Sequence, residues 1–182
     1  MAYIEFDHVV KEYPSGSSVI RALDEASFTA EQGELSVILG QSGAGKTTAL
    51  NILGGMDTAT TGRVVVGGRD ITGLRKKGLV TYRRNDIGFV FQFYNLVPNL
   101  TALENVAMPL MFQGMPKNKR EAIAKKMLKR VGLGKRMNHY PTQMSGGQQQ
   151  RVGIARVFAA RPQVVFADEP TGNLDSKTKT DV

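Results

Sequence analysis

An α/β fold, with an antiparallel β layer and a helical insert beside its core, is predicted by three observations in this 182-residue sequence. A glycine-rich loop joins a short apolar run to a helix-like segment. A later apolar run ends in two adjacent carboxylates, at the edge where an open α/β sheet binds its ligands. Helix-like segments with cap signals lie between these two runs, whereas strand-like alternation fills the N-terminal part of the chain.

The N-terminal segment, residues 1 to about 33, alternates like β-strands and is interrupted by Pro14-Ser15-Gly16-Ser17-Ser18. A second stretch, Arg63 to Ile71, has Gly67-Gly68 between strand-like residues and predicts a β-hairpin. We expect these segments to form the antiparallel layer beside the core.

The glycine-rich loop has the sequence Gly40-Gln41-Ser42-Gly43-Ala44-Gly45-Lys46-Thr47. A strand is predicted for Leu35 to Leu39 and a helix for Lys46 to Leu53, which is the context that a P-loop requires. The three glycines allow positive φ, so main-chain N–H groups can surround phosphates at the positive end of the helix. Lys46 would then reach the β- and γ-phosphates, and Thr47 would offer a hydroxyl to Mg²⁺. These features predict a P-loop NTPase core.

Two carboxylates, Asp168 and Glu169, follow a predicted strand from Gln163 to Ala167, and Pro170 ends that strand. Asp168 is expected to hold Mg²⁺ as a Walker-B aspartate does. Glu169 would orient or deprotonate the attacking water. The alternative is a solvated acidic pair at a strand end, which the P-loop upstream disfavours.

A capping box, Ser145-Gly146-Gly147-Gln148, predicts the start of a helix that runs to about Ala160. A serine cap and two glycines at a helix start also form an anion site. Taken with the P-loop and the carboxylates, this run resembles the signature motif of ABC-type ATPases. The usual motif begins with Leu where this chain has Met144.

The resemblance covers the whole chain and implies further roles. Tyr13 is where the family places an aromatic that stacks on adenine, although a strand-edge tyrosine is the alternative. Gln92 matches the Q-loop glutamine, which contacts Mg²⁺ and water and senses the membrane partner. Gly172-Asn173-Leu174-Asp175 matches the D-loop, which crosses the dimer interface in relatives. The implied nucleotide contacts are Tyr13, Gly40, Gln41, Ser42, Gly43, Ala44, Gly45, Lys46, Thr47, Thr48, Ser145, Gly146, Gly147 and Gln148; the catalytic residues are Glu169 and Gln92; and the metal ligands are Thr47, Gln92 and Asp168.

A helical subdomain is predicted for residues 95–144, with residues 1–94 and 145–182 forming the nucleotide-binding core. Thr101 and Glu104 form a capping box that begins a helix toward Gln113, and a second helix runs from about Lys117 to Val131. In relatives such an insert grips the membrane subunit, so the resemblance implies permease contacts near residues 92–115.

The subgroup and the expected C-terminal end also come from the resemblance. Four runs, Ile87 to Gln92, Asn95 to Pro98, Leu103 to Val106 and Ser145 to Arg151, resemble the lipoprotein-release and macrolide-export subgroup, with cell-division ATPases as close neighbours. Relatives continue into a strand that ends in a switch histidine, and neither His8 nor His139 matches it. We therefore expect an ATPase domain truncated at its C-terminus, with part of the core absent and little turnover of its own.

Composition favours a cytoplasmic protein that reaches the inner face of the membrane through a partner. The chain is 41% hydrophobic, has no cysteine, and has no apolar stretch of membrane-spanning length. Its net charge is +8, and the cations concentrate in residues 117–136, where Glu121 is the only acid. A solvated helix face is the favoured interpretation, and attraction to an anionic membrane leaflet is the alternative. No nucleic-acid motif is present, so no nucleic-acid partner is expected.

The resemblance thus implies an ATP-binding and ATP-hydrolysing subunit of a membrane export system. It would act with Mg²⁺ as a head-to-tail dimer that sandwiches two ATP between P-loop and signature. A chromosome-maintenance ATPase would need long coiled coils between Thr48 and Met144, and that interval is too short. A regulatory ATPase of the cell-division type, and a nucleotide-binding fragment without turnover, remain open alternatives.

Overall fold

The computed structural model describes residues 2–172. The chain divides into two compact units between Arg83 and Arg84. In the described part of the chain, no helix is both long and apolar enough to cross a bilayer.

The first unit is built on a four-stranded antiparallel sheet with the order β2-β1-β3-β4. Its strands are β1 (Ile4–Ser15), β2 (Ser18–Ala30), β3 (Thr61–Val66) and β4 (Arg69–Asp70). Strand β1 is central because it pairs with both β2 and β3, so that Ile4 faces Ala30 on one side and Val66 on the other. The antiparallel layer expected from the alternating pattern is confirmed.

The predicted hairpin between β3 and β4 is also present, and its turn explains the two glycines. Gly67 and Gly68 have φ of +58° and +74°. Positive φ at both central positions is what a type I′ hairpin turn requires, and such a turn matches the twist of the flanking strands. Glycine adopts this conformation without steric cost.

Two helices complete the first unit: α1 (Lys46–Leu53), as predicted, and α2 (Lys76–Asn85), which ends just past the unit boundary. The sequence pattern did not predict α2, since few apolar side chains mark a buried face in it. Tyr82 is fully buried, and its hydroxyl donates to the Leu53 carbonyl oxygen at 2.7 Å. This aromatic ties α2 to the end of α1, and the Arg83 guanidinium adds a bond to the Gly55 carbonyl oxygen just after α1.

The strand predicted for Leu35 to Leu39 is not formed, and this prediction is wrong for the structure. The segment has no regular secondary structure, and the side chains of Leu35, Val37 and Leu39 are 90%, 69% and 86% exposed. No strand among residues 2–172 pairs with it. A strand depends on a neighbour that supplies hydrogen-bond partners, so an apolar run alone does not produce one.

The second unit contains a two-stranded parallel sheet, β5 (Ile87–Val90) with β6 (Val164–Ala167). Its helices are α3 (Ala102–Phe112), α4 (Lys117–Arg130) and α5 (Gly146–Ala159), with two short 3-10 helices between α4 and α5. A Cβ at Gly88 of β5 would collide with the Val157 side chain of α5. This glycine therefore lets α5 lie close against the sheet.

The three helices share an apolar core, and their predicted bounds are confirmed within two residues. Both predicted capping boxes form: the Thr101 side chain accepts from the Glu104 N–H, and the Ser145 side chain accepts from the Gln148 N–H. The fully buried side chains of this core include Val106, Leu110, Ala124, Leu128 and Val152. The basic residues of α4 lie on its outer face, as an amphipathic helix requires.

Candidate nucleotide-binding and catalytic sites

The glycine-rich loop of the first unit has the backbone of a phosphate cradle at two of its three glycines. Gly43 and Gly45 have φ of +83° and +81°, whereas Gly40 does not have positive φ, which corrects that part of the prediction. A Cβ at Gly45 would collide with the Ala22 carbonyl oxygen and lie 2.7 Å from the Leu23 side chain. Glycine is therefore required at residue 45 both by conformation and by the approach of β2.

The side chain of Lys46, the first residue of α1, folds back onto this loop. Its Nζ donates to the carbonyl oxygens of Gly40 and Gln41, both at 2.8 Å. The first turn of α1 contains no acidic residue, so nothing in that turn neutralises the positive end of the helix. A cationic Nζ above a helix N-terminus is an arrangement that binds phosphate.

Tyr13 belongs to a polar network on β1 that the sequence did not reveal. Its hydroxyl donates to Asp57 Oδ2 at 2.7 Å. The Nζ of buried Lys11 donates to Asp57 Oδ1 at 2.6 Å and lies 4.8 Å from the centre of the Tyr13 ring. Lys11 and Tyr13 are two residues apart and share a strand face, and this spacing is the one sequence signal of their pairing.

The pKa values in this network follow from its geometry. Burial raises the pKa of Tyr13, and the hydrogen bond to the Asp57 carboxylate raises it further. Burial alone would raise the pKa of Asp57, but hydrogen bonds from Lys11, Tyr13 and the Thr58 main chain outweigh it, so the pKa of Asp57 is lowered. Thr48 also hydrogen-bonds with Tyr13, which brings two predicted nucleotide contacts together.

The second unit brings together two of the predicted catalytic residues. Gln92 follows β5 and Glu169 follows β6, and the parallel register, with Val90 opposite Ala167, places these strand ends side by side. Gln92 Nε2 donates to Glu169 Oε2 at 3.1 Å. The main-chain N–H of Asp168 donates to the Val90 carbonyl oxygen at 3.0 Å, which continues the ladder up to the carboxylates.

Glu169 has φ of +43°, which places a non-glycine residue in the left-handed region. Its carbonyl oxygen accepts from the Gly172 N–H at 2.9 Å in a tight turn. A Cβ at Gly172 would lie 3.1 Å from both Gln92 Nε2 and Glu169 Oε2. Backbone strain of this kind persists only where the surroundings impose it, and it concentrates at functional sites.

The signature serine begins α5. Ser145 has extended φ and ψ of −67° and 162°, and its main-chain N–H donates to Gln148 Oε1 at 3.1 Å. No acidic residue lies in the first turn of α5. Of the D-loop motif, Gly172 is described, and residues 173–175 lie outside the described residues.

The predicted metal ligands are all oxygen donors: the Thr47 hydroxyl, the Gln92 amide and the Asp168 carboxylate. Residues 2–172 contain no cluster of three or more histidine, cysteine or acidic side chains able to hold a metal by themselves. Mg²⁺ prefers oxygen ligands and is commonly held by one or two carboxylates together with substrate phosphates. The donor set therefore fits an Mg²⁺ ion that arrives with a nucleotide.

The α/β fold, the glycine-rich loop before α1 and the carboxylates after β6 define a P-loop nucleotide-binding protein. Comparison with known proteins is more specific. The chain belongs to the ABC transporter family, whose pattern it matches over residues 23–172. It is an ABC-type ATPase subunit.

Its similarity to individual relatives spans almost the whole chain. It is 48% identical to an uncharacterised ABC transporter ATP-binding protein of Thermotoga maritima, over 98% of this chain and 76% of that protein. It is 44% identical to the lipoprotein-releasing system ATP-binding protein LolD of Shewanella frigidimarina, over 100% of this chain and 76% of that protein.

A solved structure shares the fold. The ATP-binding cassette MJ0796, seen as a dimer in a post-hydrolysis state with ADP and Pi, matches with a TM-score of 0.91 and 43% identity. The match covers 98% of this chain and 78% of that one. The P-loop NTPase fold expected from the sequence, with its antiparallel layer and helices, is thereby confirmed.

Proposed function

We propose that this protein hydrolyses ATP with Mg²⁺ to drive a membrane export system, acting as a head-to-tail dimer. The observation that carries the proposal is the 3.1 Å hydrogen bond between Gln92 and Glu169. It links the residue suited to activate water to the loop that the family resemblance assigns to sensing a membrane partner.

Nucleotide binding is assigned to the first unit. Main-chain N–H groups of residues 40–48 would surround the phosphates, helped by the positive φ of Gly43 and Gly45. Lys46 would exchange its two carbonyl partners for the β- and γ-phosphates, since an ammonium ion binds phosphate oxygens more strongly than neutral carbonyls. Tyr13, with its hydroxyl held by Asp57, would stack on the adenine ring.

Mg²⁺, when bound, would neutralise charge that develops on the phosphates. Thr47, Asp168 and Gln92 are the residues proposed to hold it, because they are oxygen donors of the type that Mg²⁺ prefers. Glu169 would accept a proton from the attacking water or orient it. Gln92 would hold that carboxylate in place by donating from Nε2.

The proposed dimer places the signature serine of one copy against the nucleotide of the other. The dimeric state of the related cassette supports it. Ser145 and the two following glycines begin α5, a helix start that is suited to an anion. ATP would make more contacts in the closed dimer than ADP does, so binding and hydrolysis would shift an equilibrium between open and closed forms.

A membrane permease is the proposed second partner, contacted through residues near 92–115. Large apolar side chains are exposed in this stretch: Phe93 is 69% exposed, Met111 45% and Phe112 55%. These side chains are the groups that such a contact would cover, and if they adjoin one another they would form the kind of exposed apolar patch that marks a protein interface. The relatives' names, which include lipoprotein release and a macrolide export protein from Hyphomonas neptunium, favour export over a purely regulatory role. The protein would then lie on the cytoplasmic face of the membrane.

Two substitutions, made in a protein whose chain continues past Val182, separate binding from chemistry. Lys46→Ala should lower MgATP affinity by at least about a hundredfold, because it removes the cation paired with the phosphates. Glu169→Gln should leave affinity within about threefold but arrest turnover, since an amide cannot accept the proton. Titration calorimetry and phosphate release measure the two effects.

Lys125→Ala, an exposed cation of α4, is the control and should change neither quantity. Unchanged affinity in Lys46→Ala would contradict the P-loop assignment. Turnover that survives in Glu169→Gln would contradict the assignment of the catalytic base.

A further inference from the structure

A buried amide in α5 contacts the chain beside both catalytic side chains. Gln150 is 1% exposed, and its Nε2 donates to the Pro170 carbonyl oxygen at 2.6 Å. The same nitrogen lies 3.4 Å from the Phe91 carbonyl oxygen, a longer and weaker contact. One amide group therefore satisfies carbonyl groups from two loops that are far apart in sequence.

These two carbonyl groups belong to the neighbours of the catalytic pair. Phe91 precedes Gln92, and Pro170 follows Glu169. Because Gln92 and Glu169 are themselves hydrogen-bonded at 3.1 Å, a small shift of either main chain would change that contact. The positive φ of Glu169 also has to be maintained by surrounding contacts, and the bond to Pro170 is the nearest to it from α5.

A second contact from α5 holds the far end of the Gln92 loop. Arg156 donates from Nη1 to the Asn95 carbonyl oxygen at 2.6 Å and from Nη2 to the Tyr94 carbonyl oxygen at 3.3 Å. Between these contacts, a Cβ at Gly153 would be 3.6 Å from the Tyr94 carbonyl oxygen, so the loop lies directly on the helix. Gln150 and Arg156 thus fix residues 91–95 from both ends.

We propose that Gln150 is a positioning residue that connects the signature helix to the catalytic pair of the same chain. The inference rests on the proposed function of Gln92 and Glu169. Since α5 begins at Ser145, a displacement of that helix start is transmitted through Gln150 to the main chain on either side of the carboxylate. Closure of the dimer on ATP would in this way adjust the geometry of Glu169.

The neighbouring Gln149 provides a matched control on the same helix. Its Nε2 donates to the Met144 carbonyl oxygen at 3.1 Å, just before the start of α5, instead of to a carbonyl beside Gln92 or Glu169. Substitution of either glutamine by methionine keeps the side-chain length and removes the donors. Only Gln150→Met leaves the carbonyl of Pro170 without this partner.

The test is steady-state ATP hydrolysis by wild type, Gln150→Met and Gln149→Met, in a protein whose chain continues past Val182. Gln150→Met is expected to lower kcat by about tenfold or more with KM for ATP within about twofold, because misplacement affects the chemical step more than binding. Gln149→Met should stay within about twofold of wild type in both. Gln150→Asn keeps an amide on a side chain one carbon shorter, and it replaces Gln150→Met in the test if the methionine variant does not fold. Its loss of kcat should be smaller than that of Gln150→Met.

A double substitution tests whether Gln150 acts through the pair. In a Gln92→Ala background, Gln150→Met should lower kcat by clearly less than it does alone, since residues that act as a unit are not additive. Equal kcat in Gln150→Met and Gln149→Met, or full additivity with Gln92→Ala, would overturn the proposal.

Hydrogen exchange gives a readout that needs no nucleotide. The Gly172 N–H, which donates to the Glu169 carbonyl oxygen, should exchange at least about fivefold faster in Gln150→Met than in Gln149→Met. Unchanged exchange would overturn the positioning role even if ATP turnover were absent. If the wild type hydrolyses no ATP but the exchange of Gly172 is faster in Gln150→Met, the proposed function is contradicted and the positioning role is not.

Discussion

Glu169, directly after β6, lies beside Gln92 at the end of β5. Its place directly after an apolar strand predicted a carboxylate at the ligand edge of the sheet. Its positive φ and its bond to Gln92 depend on a partner 77 positions away. Contacts of that kind are fixed by strand register and helix packing, and therefore no local pattern encodes them.

The network of Asp57, Lys11 and Tyr13 is another feature that only the fold creates. Asp57 follows the end of α1 and meets β1 in space, 46 residues from Lys11. The sequence indicated Tyr13 as an adenine contact, which remains a prediction, and gave no sign of the acid that holds its hydroxyl.

Asp57 also predicts a pH dependence of stability. The pKa of Asp57 is lower in the folded protein than the ordinary value of about 3.9. The contribution of its charge to stability is therefore present at pH values above the ordinary pKa, and it is lost as the pH falls through the folded pKa. Asp57→Asn should lower the free energy of unfolding at pH 7 by roughly 1–3 kcal/mol, because Lys11 loses its charged partner. Urea unfolding from pH 7 to pH 2 measures both effects.

The difference between variant and wild type should narrow as the pH falls below about 4. Asp24→Asn is the control, since Asp24 is exposed and paired only with Arg21 at the surface, where such pairs contribute little. If the difference in unfolding free energy between Asp57→Asn and wild type stayed constant with pH, the loss of stability could not be assigned to the Asp57 charge.

At the scale of elements, local signals predicted the helices well. The capping boxes of α3 and α5 depend on side chains three residues apart, so the sequence contains all of the information. The prediction of a strand from Leu35 to Leu39 was wrong for the opposite reason, since a strand needs a partner from elsewhere in the chain. Helix α2 was missed because its attachment is one buried tyrosine rather than an apolar stripe.

The α3 cap supplies the prediction at this scale. Thr101→Ala removes the side chain that accepts from the Glu104 N–H, and it should lower the free energy of unfolding by about 1 kcal/mol. Thermal unfolding measures the change. Thr81→Ala is the matched control, because the Thr81 hydroxyl only bonds back to the Lys77 carbonyl within α2, where alanine is at least as favourable. Equal losses in the two variants would contradict the capping role.

At the scale of the whole molecule, the sequence predicted the fold class and the family because three motifs occur in a fixed order. The division into two units between Arg83 and Arg84 was not predicted, since it depends on packing throughout the chain. Residues 95–144 contain α3, α4 and the two 3-10 helices. Their separation from the core as a helical subdomain stays a prediction, and their role toward a permease is a proposal.

The basic residues of α4 contribute to the charge of the whole protein surface. Lys125, Lys126, Lys129 and Arg130 line one shallow depression on the helix surface together with Ala122. Charge on this scale affects solubility and association rather than the fold.

The central claim is that each ATP site needs two copies of the chain. Sedimentation of the Glu169→Gln variant, made in a protein whose chain continues past Val182, tests this claim most directly. With MgATP this variant should sediment as a dimer, and with MgADP as a monomer, because the arrested site retains the γ-phosphate that joins the copies. Adding Ser145→Arg should abolish the dimer while leaving ATP binding intact, since the arginine fills the helix start that faces the partner's nucleotide. A dimer that forms equally with ATP and ADP, or that survives Ser145→Arg, would contradict the account.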